Sequence, residues 1–392
     1  MAEILKIGAG ESPDELDARI QGACDRMEQI YELDCYPKIT VTRGWSKHNP
    51  VTSGEIARPS AYRAYLRREL LKLTLHGAEV QIEPSRARIN LNSPSLLDLV
   101  DESDLDITRK KLFLFGPERV ELSIKRLEHY TGSQAEDFQR HILLTNYKMH
   151  MDAFQATFPD CIKPRQRHVQ MPAFHHRLDD SNGISIVNIG VGPSNAKNCT
   201  DHIAVLRPDA MLMVGHCAGV RNRQEIGNFV LASGYMRADR VLDDALPQGV
   251  PVAPSFLLNR YLAQVLEKKE LQHRVGIVYT TVDRNWELAR RRTLDELRAS
   301  RSIAVDMESA TVAANGFRYR IPNATLLCVS DKPLHGSPKL PKDAKEFYQE
   351  TKQQHLLVAI EAITHVKRDY PHGVPNDDIR AFDEPLMGGP SG

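Results

Sequence analysis

The second half of the chain repeats one pattern: a short apolar run, a glycine or an acidic residue at its end, then a helix-forming stretch. It recurs in GISIVNIGVGPSNAKN, DAMLMVGHCAGV, RVGIVYTTVDRN, SIAVDMESATVAANG and ATLLCVSDKP. Apolar runs of this length, bounded by turn residues and followed by helices, read as strands buried on both faces. Strand–helix alternation argues for an α/β domain around a central mixed, largely parallel sheet flanked by helices. Strands are expected at Gly183 to Ile189, Ala210 to Val214, Asn228 to Ser233, Arg274 to Thr280, Ser302 to Val305 and Thr325 to Val329, after a first strand that opens near Phe138.

The N-terminal part reads differently. Pro13 to Tyr31 carries Leu16, Ile20, Cys24, Met27 and Ile30 at helical spacing, and KITVTR alternates like a strand. Pro59 opens a second helix bearing Arg63, Arg67 and Arg68, and Glu79 to Glu83 is strand-like. Ser93 to Asp106 reads as loop or short helices. The expected organisation is a small α+β domain over 1–132, an α/β domain over 133–370 and a Pro/Gly/Asp-rich tail over 371–392. A length of 392 residues fits two domains. Pro159 to Gln170, basic and proline-containing, is expected to be a surface connection or flap.

Charge narrows the function classes. Acidic and basic residues balance at 51 each, so no long-range field for nucleic acid is present. No apolar run has the length of a membrane span, and the first residues lack a signal-peptide pattern. Six scattered cysteines without a CxxC pair argue against structural zinc or a disulfide framework and fit a reducing cytoplasm.

Two strand ends carry the chemistry. Met307 and Glu308 follow the strand ending at Val305, and Asp331 ends the strand before KPLHG. Strand ends of α/β sheets are where ligands bind. Two carboxylates delivered there suit a sugar and its leaving group, one accepting from hydroxyls and the other donating a proton. Each has a blander reading: Asp331 as a turn cap, Glu308 as a first-turn acid on a helix dipole, Met307 as core. The turn GVGPSNAKN, with Gly192, is neither GxGxxG nor a P-loop; it either makes a plain strand-to-helix turn or offers amides to an anion. Around it stand Asn146 and Tyr147 at the first strand's end, His216 and Arg221 after VG, Arg284 and Trp286 in TTVDRNWEL, and Lys332. The Trp fills core or stacks on a base; the arginines are solvated surface or grip phosphate. Arg58 and Arg63 are a solvated basic face or an anion site of the small domain.

The strings VNIGVGPSNAKNCTDHIAVLRPDAMLMVGHCAGV, TTVDRNWEL, VDMESATVAANGFRYRIP and CVSDKPLHG resemble the bacterial AMP nucleosidases, within the nucleoside phosphorylase and nucleosidase superfamily. ITVTRG, ARPSAYRAYL and VELSIKRLEHYTG resemble that family's regulatory-type N-terminal domain. The resemblance implies a phosphorylase-like fold and hydrolysis of AMP to adenine and ribose 5-phosphate. Asp331 would be the acid at purine N7, and Met307 with Glu308 the ribose site. It also implies a homohexamer, activation by ATP with magnesium, inhibition by inorganic phosphate, and no metal in the chemistry. Where the phosphorylases carry an arginine that grips the phosphate nucleophile, this chain has Met213, which favours water. A purine nucleoside phosphorylase, a nucleosidase for another 5′-monophosphate and a non-catalytic nucleotide sensor are the alternatives.

Overall fold

The computed structural model describes residues 3–8, 10–44, 50–89, 111–166, 168–336 and 341–375. The expected loop at Ser93 to Asp106 and most of the expected tail lie outside them. The described chain forms two compact units that divide between Arg126 and Leu127; residues 205–207 group with the first.

The first unit is a four-stranded antiparallel sheet with helices. Its strands are β1 (Glu3–Leu5), β2 (Cys35–Thr42), β3 (Val51–Glu55) and β4 (Glu79–Arg88), in the order β1-β4-β2-β3. Helix α1 (Pro13–Glu32) starts on a capping box in which Ser12 and Glu15 bond each other's backbone amides, and buries Leu16, Ile20, Cys24, Met27 and Ile30. Helix α2 (Arg63–Leu75) packs against α1. Helix α3 (Pro117–Thr131) spans the division between the units.

The second unit is built on eight strands: β5 (His141–Thr145), β6 (Ala173–His176), β7 (Ile184–Asn188), β8 (Ala210–Gly219), β9 (Phe229–Arg237), β10 (His273–Thr280), β11 (Ala304–Asp306) and β12 (Asn323–Asp331). Their order is β11-β10-β9-β12-β8-β5-β7-β6, and β11 also pairs with β8. Five strands therefore close into a ring, β8-β11-β10-β9-β12, and β5, β7 and β6 extend it as an open sheet. Pairings β5–β7, β5–β8, β8–β12, β9–β10 and β10–β11 are parallel; β6–β7, β8–β11 and β9–β12 are antiparallel.

Strand β8 is the hinge of this layout. All ten of its residues are buried, as the unbroken apolar run requires. It was expected to end at Val214 in a glycine bend. Instead it runs on through Gly219, exchanging partner β5, paired to Met213, for partner β11, paired from Ala218. The glycines permit the close approach: a Cβ on Gly219 would stand 2.9 Å from Val329.

Helices α4 (Lys148–Thr157), α6 (Phe256–Lys268) and α9 (Pro341–Asp369) pack together over one face, with Phe154, Leu262, Val265, Leu356, Ile363 and Val366 in the core. Helices α5 (Pro193–Ile203) and α8 (Ser309–Arg318) pack on each other, and α7 (Arg290–Ser300) lies against β10. The segment expected to be a surface connection or flap is held by backbone bonds. Ile162 bridges His175, the Arg165 amide donates to Gly132 and the Met171 amide to Tyr130. Backbone bonds at three points leave a tethered connection rather than a moving lid.

A buried ion pair holds the base of β5. Arg140 donates from Nε to Asp209 at 2.8 Å and from its η nitrogen to the Pro371 carbonyl at 2.7 Å. Both side chains are nearly inaccessible. Removing one partner strands a charge, so Asp209→Ala is expected to cost about 3–5 kcal/mol in a denaturant titration.

Candidate active site

Register brings the two acidic strand ends to one place. Ala218 on β8 pairs with Val305 of β11 on one side and with Asp331 of β12 on the other. Two strand spacings of about 4.8 Å put Val305 and Asp331 roughly 10 Å apart across that residue. The β12 register slips between Val329 and Asp331, the kind of irregularity that re-aims a side chain. The Ser330 hydroxyl bonds Asp331 Oδ1 at 2.5 Å and also lies 3.3 Å from the Cys217 carbonyl. Asp331 stays partly exposed, as a proton donor to a ligand must.

The end of β11 and the segment after it carry two buried acids, not one. Sequence reasoning singled out Glu308 and passed over Asp306. Asp306 Oδ1 accepts from Thr280 Oγ1 at 2.6 Å; its Oδ2 accepts from the Ser309 amide at 2.9 Å and from the Ser309 hydroxyl. It thus holds the start of α8, the role weighed for Glu308, and the D-x-x-S spacing was the available signal. Glu308 is 2% exposed, and its Oε1 accepts from the Gly192 amide at 2.6 Å. Burial pushes its carboxyl well up and the Asp306 charge adds to that; bonds from the Gly192 amide and the Asn146 side chain pull the other way. Burial likewise raises Asp306, against the bonds from Ser309 and Thr280. Two buried carboxyls two residues apart therefore hold protons more tightly than exposed ones.

Gly192, at φ 105°, reaches a conformation open to glycine and places its amide on Glu308. Its amide is thus engaged by a carboxylate of the protein, not left for a ligand anion. Met307, between the two buried acids, is partly exposed, as are Asn146 and Tyr147. The Tyr147 ring stands edge-on to His216 at 4.4 Å. Asn146, Gly192 and Glu308 thus form one group, and Tyr147 with His216 another.

Other expected residues have different partners. Trp286 is 7% exposed and packs with Val220, Tyr279, Leu297 and Val305. Its indole is a wall of the core, which corrects the base-stacking reading. Trp286→Ala is expected to lose about 3–5 kcal/mol of stability in denaturant unfolding; an indole that only stacked on a base would leave the midpoint unchanged and raise KM. Lys332 donates to the Asn222 carbonyl at 2.9 Å, and His335 Nε2 lies 3.1 Å from the Val220 carbonyl. These bonds clamp the loop after β12 to the loop after β8, so Lys332 positions a loop instead of reaching for substrate. Arg221 and Arg284 stand beyond the ends of β8 and β10, the first partly exposed and the second exposed. Arg63 pairs with Asp25 at 2.6 Å and Glu28 at 2.8 Å. Its charge is matched by α1, which removes it as a ready anion ligand. Arg58 sits partly buried in a left-handed conformation ahead of Pro59.

Residues 150–364 match the Phosphorylase superfamily. AMP nucleosidase of Escherichia coli (strain K12) is 36% identical over an alignment of 458 residues, covering 97% of this chain and 92% of that protein. The chain belongs to the AMP nucleosidase family. The alignment is longer than the 392 residues here, so this family member lacks segments that its relative carries. Among solved structures, AMP nucleosidase from Bacteroides thetaiotaomicron is similar with a TM-score of 0.55 and 29% identity, over 64% of this chain and 99% of that one. Uridine phosphorylase from Vibrio fischeri shares the fold alone, at a TM-score of 0.52 and 12% identity, over 58% of this chain and 92% of that one. The expected phosphorylase fold, with its mixed sheet and small N-terminal unit, is the one present. Among the described residues no helix is long and apolar enough to cross a membrane.

Proposed function

We propose that this chain hydrolyses the N-glycosidic bond of AMP, giving adenine and D-ribose 5-phosphate. Family membership supports the substrate. The observation that carries the chemistry is the shared register at Ala218, which sets a partly exposed Asp331 across from the Met307–Glu308 segment. Asp331 donates a proton to purine N7, which lets the base depart as a neutral leaving group. Glu308 accepts from the ribose 2′- and 3′-hydroxyls, bonds that strengthen as the sugar becomes oxocarbenium-like. Met307 lines the ribose face. Asn146 and the Gly192 amide hold Glu308 in place. Arg221 and Arg284 supply exposed positive charge for the 5′-phosphate.

The reading includes, on the resemblance of the sequence strings, a homohexamer, activation by ATP with magnesium, and inhibition by inorganic phosphate. The free cysteines suit a reducing cytoplasm.

Chromatographic product analysis with AMP and with adenosine, each with and without inorganic phosphate, tests the reading. Adenine and ribose 5-phosphate from AMP without added phosphate are the expected products. Phosphate-dependent cleavage of adenosine would make the chain a phosphorylase and overturn the argument from Met213. Preference for another monophosphate in a base-by-base panel would reassign the substrate. Binding of AMP without cleavage, with or without ATP, would make the chain a sensor.

A further inference from the structure

Three histidines from separate elements meet in the interior of the second unit: His150 on α4, His216 on β8 and His355 on α9. They are 0%, 6% and 0% exposed. One ring nitrogen from each lies within 4.8 Å of the other two. The His150 and His216 rings stack at 5.5 Å, and His355 stands edge-on to both, at 5.0 and 5.4 Å.

Hydrogen bonding fixes which nitrogen of His355 can serve as a ligand. His355 Nε2 lies 3.0 Å from the Leu326 carbonyl. A carbonyl only accepts, so Nε2 carries the proton and Nδ1 keeps its lone pair. That Nδ1 is buried and makes no hydrogen bond. His150 Nδ1 lies 2.7 Å from the Thr145 hydroxyl, its Nε2 is buried, and the Val214 backbone also acts on the ring. Leaving a buried polar atom unsatisfied costs about 1–3 kcal/mol. The unbonded His355 Nδ1 meets two further buried imidazoles, the arrangement an ion site has before loading. Metal-binding histidines are commonly oriented by a carbonyl or hydroxyl on the other ring nitrogen, as Leu326 and Thr145 do here.

We propose that His150, His216 and His355 bind one borderline divalent cation, zinc being the expected occupant. Three imidazoles without carboxylate or thiolate suit zinc and its late first-row neighbours, not magnesium or calcium. Zinc–nitrogen bonds of about 2.0–2.1 Å in a tetrahedron place nitrogens roughly 3.3 Å apart, so the rings draw together on loading. The proposal is independent of the glycosidic chemistry and uses no step of it.

The test uses the full-length chain, stripped by a chelator and returned to buffer, then titrated with zinc against a chromophoric competitor. Cobalt(II) replaces zinc in a parallel visible spectrum. The wild type is expected to take up one zinc per chain, to melt higher with zinc, and to give the intense d–d bands of a four-coordinate cobalt site. His150→Gln and His355→Gln are each expected to weaken zinc binding at least about 100-fold, more than the usual loss of an outer-shell partner, and to lose those bands. Wild-type uptake well below one equivalent overturns the site, as does uptake unchanged in both variants, which would mark a surface site. If neither variant folds, the wild-type cobalt spectrum decides, because six-coordinate, weakly coloured cobalt contradicts three buried imidazole ligands.

Discussion

Asp331→Asn is expected to release adenine from AMP about 10²–10⁴-fold more slowly than the wild type, the usual worth of a positioned general acid. The amide keeps the size of the carboxyl and a partner for the Ser330 hydroxyl, so the bulge in β12 should survive. The loss should therefore fall on kcat, with KM little changed. A purine nucleotide already methylated at N7 carries the positive charge that the acid would otherwise create. On that substrate the variant should approach the wild-type rate. Equal losses on both substrates would mean that Asp331 shapes the site without donating a proton, and undiminished turnover of AMP would remove it from the chemistry.

Glu308→Gln should lose about 10²-fold or more in kcat/KM, since hydroxyl bonds that tighten in the transition state supply several kcal/mol. It should also change how stability responds to pH. Glu308 and Asp306 are raised above their ordinary carboxylate values of 4.5 and 3.8. Through the window above those values, the folded chain therefore binds more protons than the unfolded one, and stability falls as pH rises. Histidines lowered by burial act oppositely: His141 and His355 at about 4, and His175 at about 3, add stability as pH rises toward 6.5. The histidine contribution is common to both proteins and cancels in their difference. The melting temperature of the variant should thus gain on that of the wild type between pH 5 and pH 8. A difference that is flat with pH would show that Glu308 ionises like an exposed acid.

Much of the catalytic unit was legible because its strands are short, buried on both faces and separated by helices. That pattern is local, and it located the starts of β7 to β12 within two residues. The course of β8 was not legible. Gly215 and Gly219 read as a bend, and only the exchange of β5 for β11 keeps that stretch in the sheet. Strand β6, four residues over AFHH, was missed for its brevity. Among site residues, Asp331 and Glu308 stood out together, because two acids delivered by separate strand ends suit a sugar and its leaving group. Asp306 was overlooked because one residue of context cannot say which acid caps the helix. Arg63 looked available because the acids that match it lie on another helix. His355 gave no signal, being one histidine within a long helix.

The closed ring of strands also bears on how copies of this chain can associate. In the ring the strands have a neighbour on both sides where their registers overlap, Val278 to Thr280 of β10 lying between β9 and β11 and Phe229 to Leu231 of β9 between β10 and β12. The open extension of the sheet ends at β6, and Ile162 bridges its outer side at His175. Sheet-to-sheet zippering between copies is therefore discouraged along those doubly paired stretches and at His175. Association there would have to use side-chain faces, where partners can be chosen residue by residue instead of by the generic pairing of peptide groups.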